Sequence, residues 1–522
     1  MLGNDGHVSV SRRARCQGQL GDGLATKKLE NRYVNDLRRQ EFILNSARGF
    51  RIQALPIVLS IFFLGAIGIA VASSSLIGSD GALNATLILV ISAMFGGYMA
   101  LNIGANDVAN NMGPAVGGKV LTIGGAVVIA VIAETAGALL AGGDVVNTVA
   151  KGIISPDGDI AKADFILLML SALIAAALWI NLATILNAPV STTHSIVGGV
   201  LGAGIAASGF GVVNWPTMAS IAASWVISPV LGGVIAAAML LTIKYLILNR
   251  DEKLEAARRW VPFFIGIMAA TFAAYMCMKG FKRVWKPDVL QVVVISVAAF
   301  AVTALLSVPY IRHLAKGLRN KKKDIARLFH LPLILGAALL SFAHGANDVA
   351  NAVGPLAAIA SVLMTEGEMA AKVAIPFWVL LIGGAGIAIG LALFGPKLIR
   401  TVGEKITRLN AIRAYCVALS AAITVLIATN MGLPVSSTHI AIGAIFGVGF
   451  LREYLENPKR KEGRRKSLLN ATPDAALNQS SIRQKRKLVR RRFVFSIAAA
   501  WVVTVPAAAG LSASIYLLLS ML

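Results

Sequence analysis

The residues of this chain with the means to do chemistry come in duplicate. Gly104 to Asn110 reads Gly-Ala-Asn-Asp-Val-Ala-Asn and returns unchanged at Gly345 to Asn351, which sets Asp107 and Asp348 beside long apolar runs. A second pair keeps the same order: Pro189-Val190-Ser191-Thr192-Thr193-His194 and Pro434-Val435-Ser436-Ser437-Thr438-His439. The two offsets are 241 and 245 positions, so two polar motifs share one order and nearly one spacing. A charged side chain at membrane depth costs at least about 2.5 kcal/mol, so a repeated one marks function.

Asn106, Asp107, Asn347 and Asp348 offer carboxylate and amide oxygens, the ligands a hard cation such as sodium prefers, and a carboxylate can equally carry a proton. Pro189 and Pro434 lack the amide that a continuous helix needs, so each is expected to interrupt one. The hydroxyls of Ser191, Thr192, Thr193, Ser436, Ser437 and Thr438 follow where a new helix would begin. Amides, hydroxyls and the positive end of the helix dipole then form an anion cradle. A carboxylate beside that cradle repels the anion until a cation or proton intervenes, which is a physical route to symport. The competing readings are helix capping by the hydroxyls, and an Asn/Asp cap with Gly104 or Gly345 at a helix break. Glu134 is a third acid within an apolar run and a candidate proton carrier. His194 and His439 are second-tier candidates, since a lone histidine is more often a satisfied core group. No metal-ligand spacing and no phosphate-loop motif is present, so neither a metal centre, a cofactor nor ATP drive is expected.

These residues need an apolar frame, and the composition supplies one. Of 522 residues 57% are hydrophobic and 14% charged, against roughly 25% charged in a soluble domain. The formal charge of +24 would suggest nucleic acid in a soluble protein, but residues 1 to 51, 312 to 330 and 452 to 492 hold +5, +6 and +10 of it. Basic clusters between apolar runs are what the positive-inside rule places in cytoplasmic loops, with anionic lipid as a contact; nucleic acid is not an expected partner. Cys16, Cys277 and Cys416 are read as unpaired. The first long apolar run begins near Leu55, so a cleavable signal peptide is not expected.

Runs near 54–73, 84–103, 121–142, 164–187, 218–248, 260–279, 288–310, 373–395 and 493–518 are long enough to span a bilayer. Four more, near 190–209, 331–351, 412–430 and 436–451, contain or abut the motifs and are expected as spans, broken helices or re-entrant hairpins. The expected fold is an all-α polytopic membrane protein of 11 to 13 crossings. Its parts are a basic cytoplasmic extension (1–51), repeat 1 with flanking spans (52–248), connecting spans and a basic loop (249–330), repeat 2 (331–451), a basic solvated linker (452–492) and a C-terminal span (493–522). With thirteen crossings and a cytoplasmic N-terminus, seven crossings separate the two acidic motifs, so the repeats are inverted, as in secondary transporters. One loop breaks the charge rule: Lys279, Lys282, Arg283 and Lys286 fall outside.

The chain resembles the inorganic phosphate transporter (PiT) family. The resemblance rests on Gly104 to Asn111, Ala115 to Lys119, Glu134 to Gly137, Pro189 to His194, Gly345 to Pro355, Pro376 to Trp378 and Pro434 to His439, and runs from about residue 54 to 518. It implies uptake of inorganic phosphate with sodium or protons, an inverted-repeat helical fold and a homodimer. It carries the ion-coupling role to Asp107, Asp348, Asn106, Asn347 and Glu134. Substrate contact falls to the two hydroxyl clusters with Asn110 and Asn351. A bacterial inner membrane and the proton as driving ion are the expectations. Alternatives are sulfate transport on the same fold, a channel, and an intramembrane hydrolase using Asp107 and Asp348 as acid and base. Around Ile375 to Ala385, where a counterpart of Glu134 would sit, the second repeat has only apolar or small residues.

Overall fold

In the computed structural model, residues 55–74, 83–154, 160–185, 190–281, 285–364, 375–405, 409–468 and 491–521 are described, and they are overwhelmingly helical. The extension 1–51, Pro189, Lys282 and Arg283 lie outside the described residues. By its contacts the chain divides at Phe62, and Phe63–Leu522 forms the larger compact unit. Among the described residues, 11 helices are long and apolar enough to cross a membrane.

In chain order, α1 spans Leu55–Ala72, α2 Leu83–Gly117, α3 Ile123–Ala141, the short α4 Gly143–Asn147 and α5 Lys162–Ile185. Then come α6 Thr192–Ser208, α7 Trp215–Ile243, α8 Lys253–Tyr275, α9 Val289–Leu314 and the short α10 Lys322–Leu328. The last five are α11 His330–Met364, α12 Phe377–Lys405, α13 Ala411–Asn430, α14 Ser437–Leu468 and α15 Arg491–Leu519. The starts follow capping chemistry. Thr122 accepts from the Gly125 amide ahead of α3, Asn214 from Thr217 ahead of α7, and Asp288 with Gln291 forms a capping box on α9.

The competing reading of a helix break at the acidic motifs does not hold: α2 and α11 are each 35 residues long and run through Asp107 and Asp348 without interruption. At 1.5 Å per residue each is about 52 Å long, well beyond the roughly 30 Å hydrocarbon core. Of the options left open for 412–430, the structure has the span: it forms α13 whole. The glycines serve close approach instead. A Cβ on Gly104 would meet the Ile387 carbonyl oxygen at 2.0 Å, and one on Gly345 the Glu134 carbonyl oxygen at 2.1 Å. Helix α14 continues to Leu468, into the basic linker; Arg, Lys and Glu propagate a helix already started by the apolar turns before them.

The packing is paired. Helix α2 lies along α12, and α11 along α3; α6 packs on α15, and α14 on α7. A Cβ on Gly202 would meet the Ala509 oxygen at 2.1 Å, and one on Gly447, 245 positions later, the Gly233 oxygen at 2.0 Å. Helices α2 and α11 meet each other antiparallel: Gly96 lies against Ala352 and Leu356, while Asp107 lies against His344. Chain ends also sort by side. Ile154 bridges Val213, Thr148 donates to the Gly432 carbonyl oxygen, and Lys279 pairs with Asp144. The segments after α3, before α7, after α8 and after α13 therefore share one face, as alternating crossings require.

Candidate functional site

Both proline motifs begin helices as their residue types predict. Ser191 precedes α6 and accepts from the His194 amide; Ser436 precedes α14 and accepts from the His439 amide. So the first serine of each cluster is the cap, and the next two residues are free to reach elsewhere. They reach across the molecule. Thr192 Oγ1 donates to Asp107 Oδ2 at 3.3 Å, and Ser437 Oγ to Asp348 Oδ2 at 3.3 Å. Asn110 Nδ2 donates to Thr438 Oγ1 at 2.8 Å, and Asn351 Nδ2 to Thr193 Oγ1 at 3.0 Å. Each acidic helix thus holds the hydroxyl cluster of the opposite half through its asparagine. Thr438 Oγ1 adds a bond to Asp107 Oδ1 at 3.0 Å, and Thr193 Oγ1 one to the Val435 carbonyl oxygen at 3.0 Å.

Asn106 and Asn347 do different work. Asn347 donates to Thr429 Oγ1 and to the Leu433 carbonyl oxygen and accepts from the Val435 amide, which clamps the turn before α14. Asn106 donates to its neighbour Asp107. The rings of His194 and His439 meet edge to face with centroids 5.1 Å apart, and Trp225 lies tilted on His194 at 3.8 Å while donating to the Pro434 carbonyl oxygen. The expected residues of both clusters and both acidic motifs therefore converge on one buried locus. Asp107, Asp348, Thr192, Thr193, Ser436, Ser437, Thr438, Asn347 and Asn351 are all buried.

The locus can hold a cation. Asp107, His344 and Asp348 each present one ligand atom, all within 4.8 Å of one another. The buried Oδ1 atoms of Asp348 and Asn351 have no hydrogen-bond donor among the described residues, which leaves two acceptor oxygens for an ion. Two helix starts lined with hydroxyls meet two carboxylates, and that is what an oxyanion and a neutralising cation need together.

A family model described as the phosphate transporter family matches residues 103–512. The chain belongs to this family of transporters. A Helicobacter pylori protein named "Putative phosphate permease" is 49% identical over 378 residues, covering 72% of this chain and 71% of the relative. The Arabidopsis thaliana "Inorganic phosphate transporter 2-1, chloroplastic" is 36% identical over 483 residues, 86% of this chain and 76% of the relative. A solved structure described as the sodium-dependent phosphate transporter superposes with a TM-score of 0.72 at 37% identity, covering 84% of this chain and all of that one. Family and neighbour are transporters, not enzymes.

Four residues of the candidate site were not among those expected from the sequence. His344 is the chief of them. Its Nε2 lies 3.0 Å from Asp348 Oδ2 and 3.8 Å from Asp107 Oδ2, and its Nδ1 lies 3.2 Å from Glu134 Oε2. Glu134 also accepts from Asn111 Nδ2 at 2.9 Å. Asn111, Thr429 and Trp225 are the others. One signal was available for His344: it stands immediately before the repeated motif, where the first copy has Ile103.

Glu134 is therefore tied to both aspartates through one imidazole, and its partner across the pseudo-symmetry is identifiable. A Cβ on Gly137 would meet the Phe342 oxygen at 2.0 Å, and one on Gly390 the Leu101 oxygen at 2.1 Å. Gly137 and Gly390 lie 253 positions apart, as do Glu134 and Ile387, which touch Gly345 and Gly104 in the same way. The counterpart of Glu134 is Ile387, just beyond the stretch where the sequence pointed.

Proposed function

We propose that this transporter carries inorganic phosphate into the cell by symport with sodium, across the plasma membrane. The observation that carries the reading is the reciprocal exchange of hydroxyls and asparagines between halves around two buried carboxylates. Thr192, Thr193, Ser437 and Thr438 at the starts of α6 and α14 receive the anion, with Asn110 and Asn351 orienting the hydroxyls. Asp107 and Asp348 attract the cation, whose charge lets phosphate approach a site that would otherwise repel it. Sodium is favoured over the proton because the spare acceptors are oxygens of two different residues, which suits coordination by a hard cation. The name of the 37% identical solved structure points the same way. Alternating access follows from two antiparallel halves exchanging conformations around this locus. The exposed apolar row of α9, from Val289 and Leu290 to Leu305 and Leu306, meets lipid.

The test is uptake of labelled phosphate into proteoliposomes with sodium, choline or a proton gradient outside. Accumulation is expected only with sodium, is expected to resist competing sulfate, and falls to background in Asp107→Asn and Asp348→Asn. Accumulation that survives in choline and collapses with a protonophore assigns the proton instead. Full uptake in both variants removes the proposed site.

A further inference from the structure

Two of the basic residues that defy the charge rule, Lys279 and Lys286, border a cavity. A space of about 420 Å³ is lined by Lys279, Lys286, Trp285, Cys277 and Asn430 among others, at the end of α8 and the start of α9. It lies at the far end of α8 from the basic segment after α9: Asn320 contacts Asp251 and Leu254 at the start of α8. From Lys253 to Gly280 that helix runs 28 residues, about 42 Å, so the two basic regions sit on opposite faces. A positive charge on the outer face opposes the insertion bias and helps neither orientation nor contact with anionic inner-leaflet lipid.

The cavity also adjoins the site. Asn430 is the last residue of α13, and the turn after it is the one that Asn347 clamps, ending at Ser436 and the start of α14. Lys279 is held by Asp144, and the neighbouring Thr148 bonds the Gly432 carbonyl oxygen within that same turn. Lys279 is mostly shielded, with 14% of its side chain exposed, whereas Lys286 stands open. The nearby Asp288 is occupied with the cap of α9.

Resting on the phosphate reading above, we propose that this cavity is an outer collecting site for phosphate, distinct from the buried locus. Lys286 attracts the oxyanion and Lys279 exchanges Asp144 for it. Breaking the Lys279–Asp144 pair loosens the neighbouring turn and opens the way to the hydroxyls of α14. A focused positive potential at a mouth raises the capture rate of an anion and falls with ionic strength.

The experiment is phosphate uptake by intact cells expressing the full chain, where only the outer face meets substrate, at fixed sodium and varied choline chloride. Lys286→Gln is expected to raise KM about three- to tenfold with the maximal rate unchanged, and to flatten the dependence on ionic strength. Lys279→Gln raises KM similarly, and Asp144→Asn, which frees Lys279, does not. Lys316→Gln on the opposite face leaves both parameters as they were. Unchanged KM and an unchanged salt slope in Lys286→Gln overturn the proposal, as does a fall in maximal rate alone in both Lys279→Gln and Asp144→Asn, which marks the pair as a structural clamp. Failure here is separable from failure of the phosphate reading, because wild-type uptake is measured in the same cells.

Discussion

The two halves agree in their hydroxyls and disagree in one pair of positions. In one half the positions beside the close approach of the acidic helix and its neighbour are Ile103 of α2 and Ile387 of α12, both buried in an apolar cluster. In the other, the same positions are His344 of α11 and Glu134 of α3, both fully buried and in contact with each other. Symmetry would be satisfied by four isoleucines. A buried ionisable pair is at best a weak source of stability compared with well-packed apolar residues, so it is retained for something other than holding helices together. Its position says what: His344 reaches both aspartates, and Glu134 fixes His344. The transporter is thus duplicated in its hydroxyl clusters and single in this ionisable connection.

The largest effect that could break this comparison comes from making the halves alike. His344→Ile leaves Glu134 buried with only Asn111 as partner, and removing one member of a buried pair typically costs about 3–5 kcal/mol. Thermal unfolding in detergent should show a large drop for His344→Ile. The double variant His344→Ile with Glu134→Ile should recover most of it, because it reproduces the apolar arrangement of Ile103 and Ile387. Phosphate uptake should stay lost in the double variant. Uptake that returns along with stability would mean that the pair has no part in transport.

A second effect should be equal in both halves. Gly104→Ala and Gly345→Ala each drive a methyl into a backbone carbonyl oxygen, and overpacking of this kind costs about 1–3 kcal/mol or more. Both variants should lower the unfolding temperature by similar amounts; a large inequality would mean that the helix approach is not shared. These glycines also explain what was legible in the sequence and what was not. The repeat, the crossing helices, the two aspartates and the hydroxyl clusters could be read because identical letters at nearly identical offsets need no knowledge of packing. Helix continuity could not, because a glycine that permits contact and a glycine that ends a helix look the same in one dimension. His344 was hidden for a related reason: it sits one residue outside the identical stretch, and only the antiparallel crossing of α2 and α11 brings it to Asp107. The link from Glu134 to Ile387 likewise depends on which carbonyl each glycine touches.

The smallest effect sharpens the comparison at the hydroxyls. Thr438 donates to Asp107 at 3.0 Å and accepts from Asn110, whereas Ser437 makes one longer bond of 3.3 Å to Asp348, an aspartate that His344 also contacts. A hydrogen bond to a charged group is worth about 1.5–3 kcal/mol. Thr438→Ala should therefore weaken apparent sodium affinity about tenfold, at the lower end of that range. Ser437→Ala should weaken it only a few-fold, since the bond it removes is the longer one and His344 lies 3.0 Å from the Asp348 carboxylate, against 3.8 Å from that of Asp107. Sodium titrations of phosphate uptake measure both, and in a His344→Gln background the Ser437→Ala effect should grow toward that of Thr438→Ala. If the two substitutions remain unequal there, the difference between the two aspartates lies in the hydroxyl geometry itself and not in the imidazole nearer to one of them.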